Sequence, residues 1–238
     1  MTQAIIETVS SFEIQEINQE TAFLSLRAEW NELLSESDSD MLFLRHEWLS
    51  CWWLHFAQSG VPNALLVLVL RSETGELCGI APFKLARHNL FGIRLNVIGF
   101  LGEGASDYAD LIFSRSADHQ LMATAICNYL HQQAARWDVI DLRNLYADTQ
   151  TRALLLQEVQ RRGWRAAAND EGFCRYIPIQ GQWEAYYSER VSSAGRSAHR
   201  KEWRRLNTLR PSEVRIIRSV ADLHGFLEQL AEVESLHP

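Results

Sequence analysis

Four side chains that can move protons lie within eight residues of each other, at the entrance to a predicted strand. They are Glu103, Asp107, Tyr108 and Asp110. A carboxylate can take a proton from a nucleophile, and a tyrosine hydroxyl can return one to a leaving group. The alternative is structural, with an aspartate that caps a turn and a tyrosine that packs on a sheet. The cluster predicts an acid–base site and leaves this alternative open.

Glycines precede the cluster in the spacing Gly-x-x-Gly-x-Gly, from Gly99 to Gly104. Such a run can cradle a phosphate where it leads from a strand into a helix. Here the run leads into another strand, so neither the dinucleotide nor the phosphate-loop context is met. The sequence therefore favours a flexible turn over a phosphate cradle.

A basic segment, 190–218, contrasts with an acidic remainder. It holds nine basic residues and two acids, whereas the rest of the chain holds 14 basic and 28 acidic residues. The basic side chains of its predicted helix are Arg196, Arg200, Lys201, Arg204 and Arg205. Three of these arginines share one helix face, where like charges repel and an anion would relieve the repulsion. We expect this helix to bind a phosphate or carboxylate, unless it is simply solvated or pairs with acids of a further domain.

Composition and motifs exclude several classes of protein. The chain has 238 residues and a net charge of −7, and its apolar runs are too short for the ~20 residues of a membrane span. Without a basic start followed by an apolar stretch, no secretory signal is predicted, and we expect a cytoplasmic protein. The sequence lacks serine-hydrolase, zinc-peptidase and phosphate-loop motifs. The acidic remainder of the chain and the lack of a known nucleic-acid-recognition motif argue against nucleic-acid binding.

The cysteines predict neither a disulfide framework nor a zinc site. Cys51, Cys78, Cys127 and Cys174 are far apart and form no C-x-x-C pair. We expect reduced, mostly buried thiols.

Hydrophobic periodicity predicts an ordered series of strands and helices up to residue 179. The predicted strands are Glu7–Ile17, Ala64–Arg71, Leu77–Arg87, Ile93–Phe100, Tyr108–Phe113, Trp137–Leu142, Trp164–Ala168 and Phe173–Ile179. The predicted helices are Glu20–Leu34, Arg45–Gln58, Asp118–Ala135 and Thr149–Arg162. Four strands in a meander favour an antiparallel half-sheet, and the strand–helix–strand unit that follows requires a parallel neighbour. We predict an α/β fold with a mixed sheet and helices on both faces.

The pattern of predicted elements changes near Gln180, where the alternation of strands and helices ends. A short aromatic helix (Gln182–Tyr187), the basic helix to Leu206, a strand (Glu213–Arg218) and an amphipathic helix (Ala221–Leu236) are predicted. A single strand and helix cannot form a hydrophobic core by themselves, so they are only part of a domain. The expected domains are therefore 1–180 and 181–238, the second being the incomplete start of another domain.

Several stretches resemble CelD-type proteins, a two-repeat GNAT-like acyltransferase group related in architecture to FemAB peptidyltransferases. The matching stretches are Phe43–Phe56, Gly75–Leu85, Gly99–Phe113 and Trp183–Leu206. The resemblance implies a GNAT-like three-layer first repeat and a truncated second one. It also implies an acyl-CoA-dependent N-acyltransferase linked to cellulose or other cell-envelope polysaccharide biosynthesis. The donor would be acetyl-CoA or another acyl-CoA, and the acceptor a small-molecule amine or a sugar-linked one.

The resemblance also assigns roles to the residues named above. Asp107 and Tyr108 match the family's Asp-Tyr pair. Asp107 would act as base or substrate anchor and Tyr108 as acid or orienting group, while the basic helix would clamp an anion. Glu103, Asp110 and Arg115 are further candidates. The family's glycine-containing CoA signature is missing from the corresponding connection, Ser114–Asp118, whose Asp118 would bring negative charge near the phosphates. The alternative is a non-catalytic scaffold or substrate-binding half that binds a phosphate-bearing precursor or a partner protein.

Overall fold

The computed structural model describes residues 12–57, 61–146, 149–170, 172, 181–209 and 213–236. The chain divides into two compact units, 1–172 and 173–238. The helices and strands of the first unit are β1 (Phe12–Ile17), α1 (Glu20–Ser25), α2 (Arg27–Ser35), α3 (His46–Phe56), β2 (Asn63–Ser72), β3 (Leu77–Leu90), β4 (Ile93–Phe100), β5 (Ile112–Phe113), α4 (His119–Gln132), β6 (Val139–Ile140) and α5 (Thr151–Arg161). None of the described helices is both long and apolar enough to span a membrane.

These strands form one mixed sheet with the order β1-β2-β3-β4-β6. The first four are antiparallel neighbours, and β6 pairs with β4 in parallel after the α4 crossover. Strand β3 is long enough to serve two partners along one edge. Its Phe83 opposes Phe100 of β4, and its Ile80 opposes Ile112 of β5. The chain must therefore leave the sheet after β4 and return to it at β5.

Side chains of the sheet alternate between two apolar cores, one on each face. In β2, Leu65, Val67 and Val69 pack with α1, α2 and α3, whereas Leu66 and Leu68 belong to the core beneath α4. Because both faces of the sheet are covered, the sequence of β2 is an almost continuous apolar run. The predicted mixed α/β sheet with helices on both faces is confirmed.

Several predicted boundaries in the first unit were wrong. The helix predicted over Glu20–Leu34 is divided into α1 and α2 at Leu26. The strand predicted over Tyr108–Phe113 is confined to β5, because the preceding residues form the loop that returns to the sheet. No strand forms over Trp164–Ala168. The strand predicted over Phe173–Ile179 lies outside the described residues.

Two of the described cysteines are buried, and the third is exposed. Cys78 and Cys127 are buried free thiols, and burial raises the pKa of Cys127 to about 11. Cys51 is exposed, and Cys174 lies outside the described residues. The buried thiols behave as small apolar side chains.

The second unit consists, in its described part, of three helices. They are α6 (Trp183–Arg190), α7 (Ser193–Leu209) and α8 (Val220–Ser235), and none of them has a buried residue. The strand predicted over Glu213–Arg218 was wrong: residues 213–218 form no strand, and the described part of the second unit contains none. Its alternating Val214 and Ile216 stay exposed.

Candidate functional site

The loop 101–111 leaves the sheet at the carboxyl ends of the parallel strands β4 and β6. Two backbone hydrogen bonds attach it to the segment after β6. The Ala109 amide donates to the Asn144 carbonyl at 2.8 Å, and the Tyr146 amide donates to the Ala109 carbonyl at 3.2 Å. The crevice outside the carboxyl ends of parallel strands is the usual ligand position in α/β sheets. The predicted cluster therefore lies where this kind of fold can hold a substrate.

A tight turn at Gly102 shapes the start of the loop. Gly102 has a φ of +82°, and an added Cβ would clash with the Ser106 hydroxyl and lie 3.0 Å from Leu49. The Ser106 amide donates to the Gly102 carbonyl at 3.0 Å, and the Trp48 indole donates to the Ser106 hydroxyl at 2.9 Å. No helix begins within the run Gly99–Gly104, so these glycines form the turn that the sequence favoured.

Glu103 is held between two cations. Its carboxylate lies 2.7 Å from the Lys84 ammonium and 3.8 Å from the Arg143 guanidinium. Lys84 is only 7% exposed in its side chain, and it also donates to Asn63 at 3.2 Å. Arg143 lies 2.9 Å from Asp141 as well, so positive and negative groups alternate along the chain of contacts. This arrangement fixes Glu103 as an ion-pair partner of Lys84.

A small pocket opens beside this ion pair. Its lining comes from the loop and from the residues after β4 and β6: Phe100, Leu101, Glu103, Ser106, Ala109, Arg143 and Asn144. Sequence reasoning missed Lys84 and Arg143. The signal for Lys84 was a charged residue within an apolar strand, in a chain with only two lysines.

Asp107 and Tyr108 occupy the outer end of the loop. Asp107 is exposed, and no hydrogen bond to its carboxylate is seen within the described part of the chain. The Tyr108 ring is half-buried and packs edge-on against Tyr146 at 5.0 Å between centroids and near Phe43 at 6.1 Å. Ring packing restrains the direction of the tyrosine hydroxyl. A carboxylate open to solvent thus stands beside a restrained phenol.

Asp110 has the opposite environment. It is fully buried, accepting hydrogen bonds from the Ser39 hydroxyl at 2.9 Å and the Leu111 amide at 2.8 Å. Burial raises the pKa of Asp110, while hydrogen bonds from Thr151, Thr149 and Ser39 act in the opposite direction. Its donors come from three different parts of the fold, which makes it an anchor for the inner end of the loop.

The residues at the start of α4 do not fit a CoA pyrophosphate. Such a site needs free backbone N–H groups at a helix N-terminus. Here the Asp118 carboxylate caps α4 by accepting from the Leu121 amide at 3.0 Å. Arg115 lies 2.8 Å from Asp38 and also donates to the Ser37 carbonyl. The Asp118 carboxylate and the ion-paired Arg115 thus argue against a CoA site here, as does the missing glycine-containing signature.

The basic helix α7 presents most of its charges to solvent. Arg200, Lys201, Arg204 and Arg205 are exposed, and none forms an ion pair with an acid in the described ranges. Arg196 differs, because its guanidinium donates to the carbonyls of Val191 and Ser188 and thereby closes the end of α6. Four of the five predicted anion-binding residues are therefore available to a ligand.

Comparison with known proteins gives distant matches to acetyltransferases. No family model and no curated protein matches the chain. A ribosomal-protein-alanine N-acetyltransferase from Brucella melitensis biovar Abortus 2308 is 16% identical with a TM-score of 0.40, covering 69% of this chain and 99% of its own. A Pyrococcus furiosus protein described as an acetyl transferase is 14% identical with a TM-score of 0.37, and the match covers 70% of this chain and 100% of that protein.

Among the described residues, no group of three or more histidine, cysteine or acidic side chains could hold a metal ion.

Proposed function

We propose that this chain is an acyl-CoA-dependent N-acyltransferase whose acid–base site is the outer end of the loop 101–111. The observation that carries the proposal is the exposed Asp107 carboxylate beside the restrained Tyr108 ring. Both belong to the loop whose Glu103, Ser106 and Ala109 line a small pocket at the carboxyl ends of two parallel strands. The sequence resemblance to CelD-type proteins supplies the class of reaction. The three-layer α/β sheet is compatible with it.

The residues of the loop suggest a division of roles. An amine can attack an acyl carbon only as the neutral base, so a carboxylate must take its proton. Within the described part of the chain, Asp107 is the loop acid whose carboxylate accepts no hydrogen bond, whereas Glu103 is engaged by Lys84 and Asp110 by four donors. Tyr108 would orient the acceptor through its hydroxyl. Lys84 and Arg143 would hold Glu103 and thereby shape one wall of the pocket.

The donor and the acceptor are proposed by class alone. Acyl-CoA is the proposed donor, but the start of α4 does not fit its pyrophosphate, so we assign no step to the cofactor there. The acceptor would be an amine, free or sugar-linked, in cell-envelope polysaccharide biosynthesis. Both assignments rest on the sequence resemblance, including its two-repeat architecture.

One observation supports a second candidate function. The four exposed cations of α7 have no acidic partner in the described ranges, which suits binding of a phosphate-bearing ligand. A substrate-binding half without catalysis would need only this helix. Arg196 would support α6 in either case.

Both proposals can be tested on the full chain. Titration with acetyl-CoA at low and high salt should give saturable binding that weakens with salt, and thiol release should accelerate with an amine acceptor. Binding of a phosphate-bearing sugar nucleotide without any thiol release would favour the substrate-binding half. No binding of either ligand by folded protein would contradict both functions. The pair Arg200→Ala and Arg204→Ala should flatten the salt dependence.

A further inference from the structure

The tip of the β3–β4 hairpin extends beyond the strands that flank it. Among the described residues, the last backbone contact on one side is the Arg87 amide donating to the Pro62 carbonyl at 3.4 Å. On the other side it is the Asp138 amide donating to the Asn96 carbonyl at 2.8 Å. Within the described part of the chain, residues 88–95 pair only with each other. At about 3.3 Å per residue, three residues of β3 carry the tip roughly 10 Å past its last described neighbour.

The turn at the end of this hairpin holds an aromatic residue in an unfavourable conformation. Phe91 and Gly92 have φ values of +51° and +86°, as in the two-residue turn that favours Asn-Gly or Asp-Gly. A bulky side chain at positive φ is uncommon and costs free energy. Phe91 is nevertheless 97% exposed, so it gains no burial in return. Folding alone gives no reason for phenylalanine here, which directs attention to binding.

The register separates apolar and basic side chains onto opposite faces of the hairpin. Leu90 opposes Ile93, and both are exposed, at 54% and 64%. Arg94 opposes Asn89 on the other face, to which Arg87 also belongs. Neither arginine forms an ion pair with an acid that the structure describes.

No acidic residue occurs between Arg87 and Asn96. The acid at the base of the hairpin is Asp138, whose carboxylate accepts from the Asn96 amide at 2.8 Å. The tip is therefore locally cationic on a chain whose net charge is negative. At physiological salt the Debye length of about 8 Å is shorter than the reach of the tip, so charge on the rest of the chain is largely screened there.

We propose that this tip docks on the surface of an anionic lipid bilayer. Leu90, Phe91 and Ile93 would enter the interface, and Arg87 and Arg94 would face the lipid phosphates. The apolar side chains stand on a convex protrusion, which a protein partner could cover only with a matching groove. A bilayer needs no such groove, and its negative charge complements the two arginines. This inference is independent of the proposed acyl transfer.

Flotation of the full chain with vesicles tests the proposal. The protein should float with vesicles of equal parts phosphatidylcholine and phosphatidylserine, and much less with phosphatidylcholine alone. Phe91→Asn should weaken binding about tenfold, the scale of losing one buried aromatic side chain. Asparagine is favoured at this turn position, so the hairpin should survive the change. Phe56→Asn, at an exposed phenylalanine that ends α3, is the matched control and should bind as the wild type does.

Replacing both arginines, Arg87→Gln with Arg94→Gln, should reduce binding and its dependence on salt. Three results would overturn the proposal: no binding to anionic vesicles, unchanged binding by Phe91→Asn, or loss of binding only when Arg200 and Arg204 of α7 are replaced. Light scattering without lipid measures the oligomeric state of the wild type and of Phe91→Asn. A wild-type dimer that Phe91→Asn converts to a monomer would assign the tip to an interface between two copies instead.

Discussion

The two ends of the loop 101–111 place the same chemical group in opposite surroundings. Asp110, at the inner end, is fully buried and accepts hydrogen bonds from Ser39, Leu111 and two threonines. Asp107, three positions earlier, is exposed and shows no hydrogen bond within the described residues. One carboxylate is bound by donors of the fold, and the other is exposed to solvent.

This difference shows how the fold can hold an exposed loop in place. A buried carboxylate is stable only when donors surround it, and those of Asp110 come from the segment after α2, from its own loop and from the start of α5. The inner end is thereby fixed to three elements. The outer end can then present a carboxylate to solvent without losing its position.

The largest expected effect on stability comes from removing the inner carboxylate. Asp110→Ala should lower the free energy of unfolding by about 2–4 kcal/mol, because several buried donors lose their acceptor. Chemical denaturation of the full chain measures this. The matched Asp107→Ala should stay within about 0.5 kcal/mol of the wild type. Equal losses in the two variants would contradict the contrast between the two ends.

The turn that starts the loop provides the next effect. Gly102→Ala should cost about 1–3 kcal/mol, because the left-handed φ disfavours alanine and the new Cβ meets Ser106 and Leu49. Gly104 is the control, with a φ of +84° but nothing within 4 Å of an added Cβ. Gly104→Ala should therefore lose only the conformational part. If the two variants unfold at the same denaturant concentration, Ser106 and Leu49 do not restrict the turn.

The smallest effect is a dependence of stability on pH. Burial raises the pKa of Asp110, so the folded state holds this proton more tightly than the unfolded chain does. Its contribution to stability is then full below the unfolded pKa of about 3.9 and is lost as the pH rises through the folded-state pKa. As the pH rises through this range, the free energy of unfolding should fall more for the wild type than for Asp110→Asn. Asp107→Asn should show the same pH dependence as the wild type. Parallel curves of stability against pH for all three proteins would argue against a raised pKa of Asp110.

The sheet could be predicted from sequence because its signals are local and repeated. Apolar runs of strand length and the strand–helix–strand order were enough to predict the mixed sheet and its parallel pair. The strand predicted at Glu213–Arg218 failed for the opposite reason. Alternation predicts a strand only where a partner strand exists to accept its hydrogen bonds, and local sequence does not report that partner.

The acid–base site of the loop stays a prediction. Its four residues stand out in the sequence by type and spacing, but their different environments do not. Whether an aspartate is buried depends on distant donors such as Ser39 and Thr151, which the spacing within the loop does not reveal. The ion pair of Lys84 with Glu103 joins β3 to the loop and could be found only once the strands were paired.

Acyl transfer by Asp107→Asn, compared with wild type under the same conditions, tests the central claim most directly. The substitution keeps the shape of the side chain and removes its basicity, so the rate should fall by about 100-fold or more while stability is unchanged. Asp170→Asn, at an exposed aspartate paired with Arg152, is the control and should keep the wild-type rate. Wild-type turnover by Asp107→Asn would show that the exposed carboxylate of the loop is not the base.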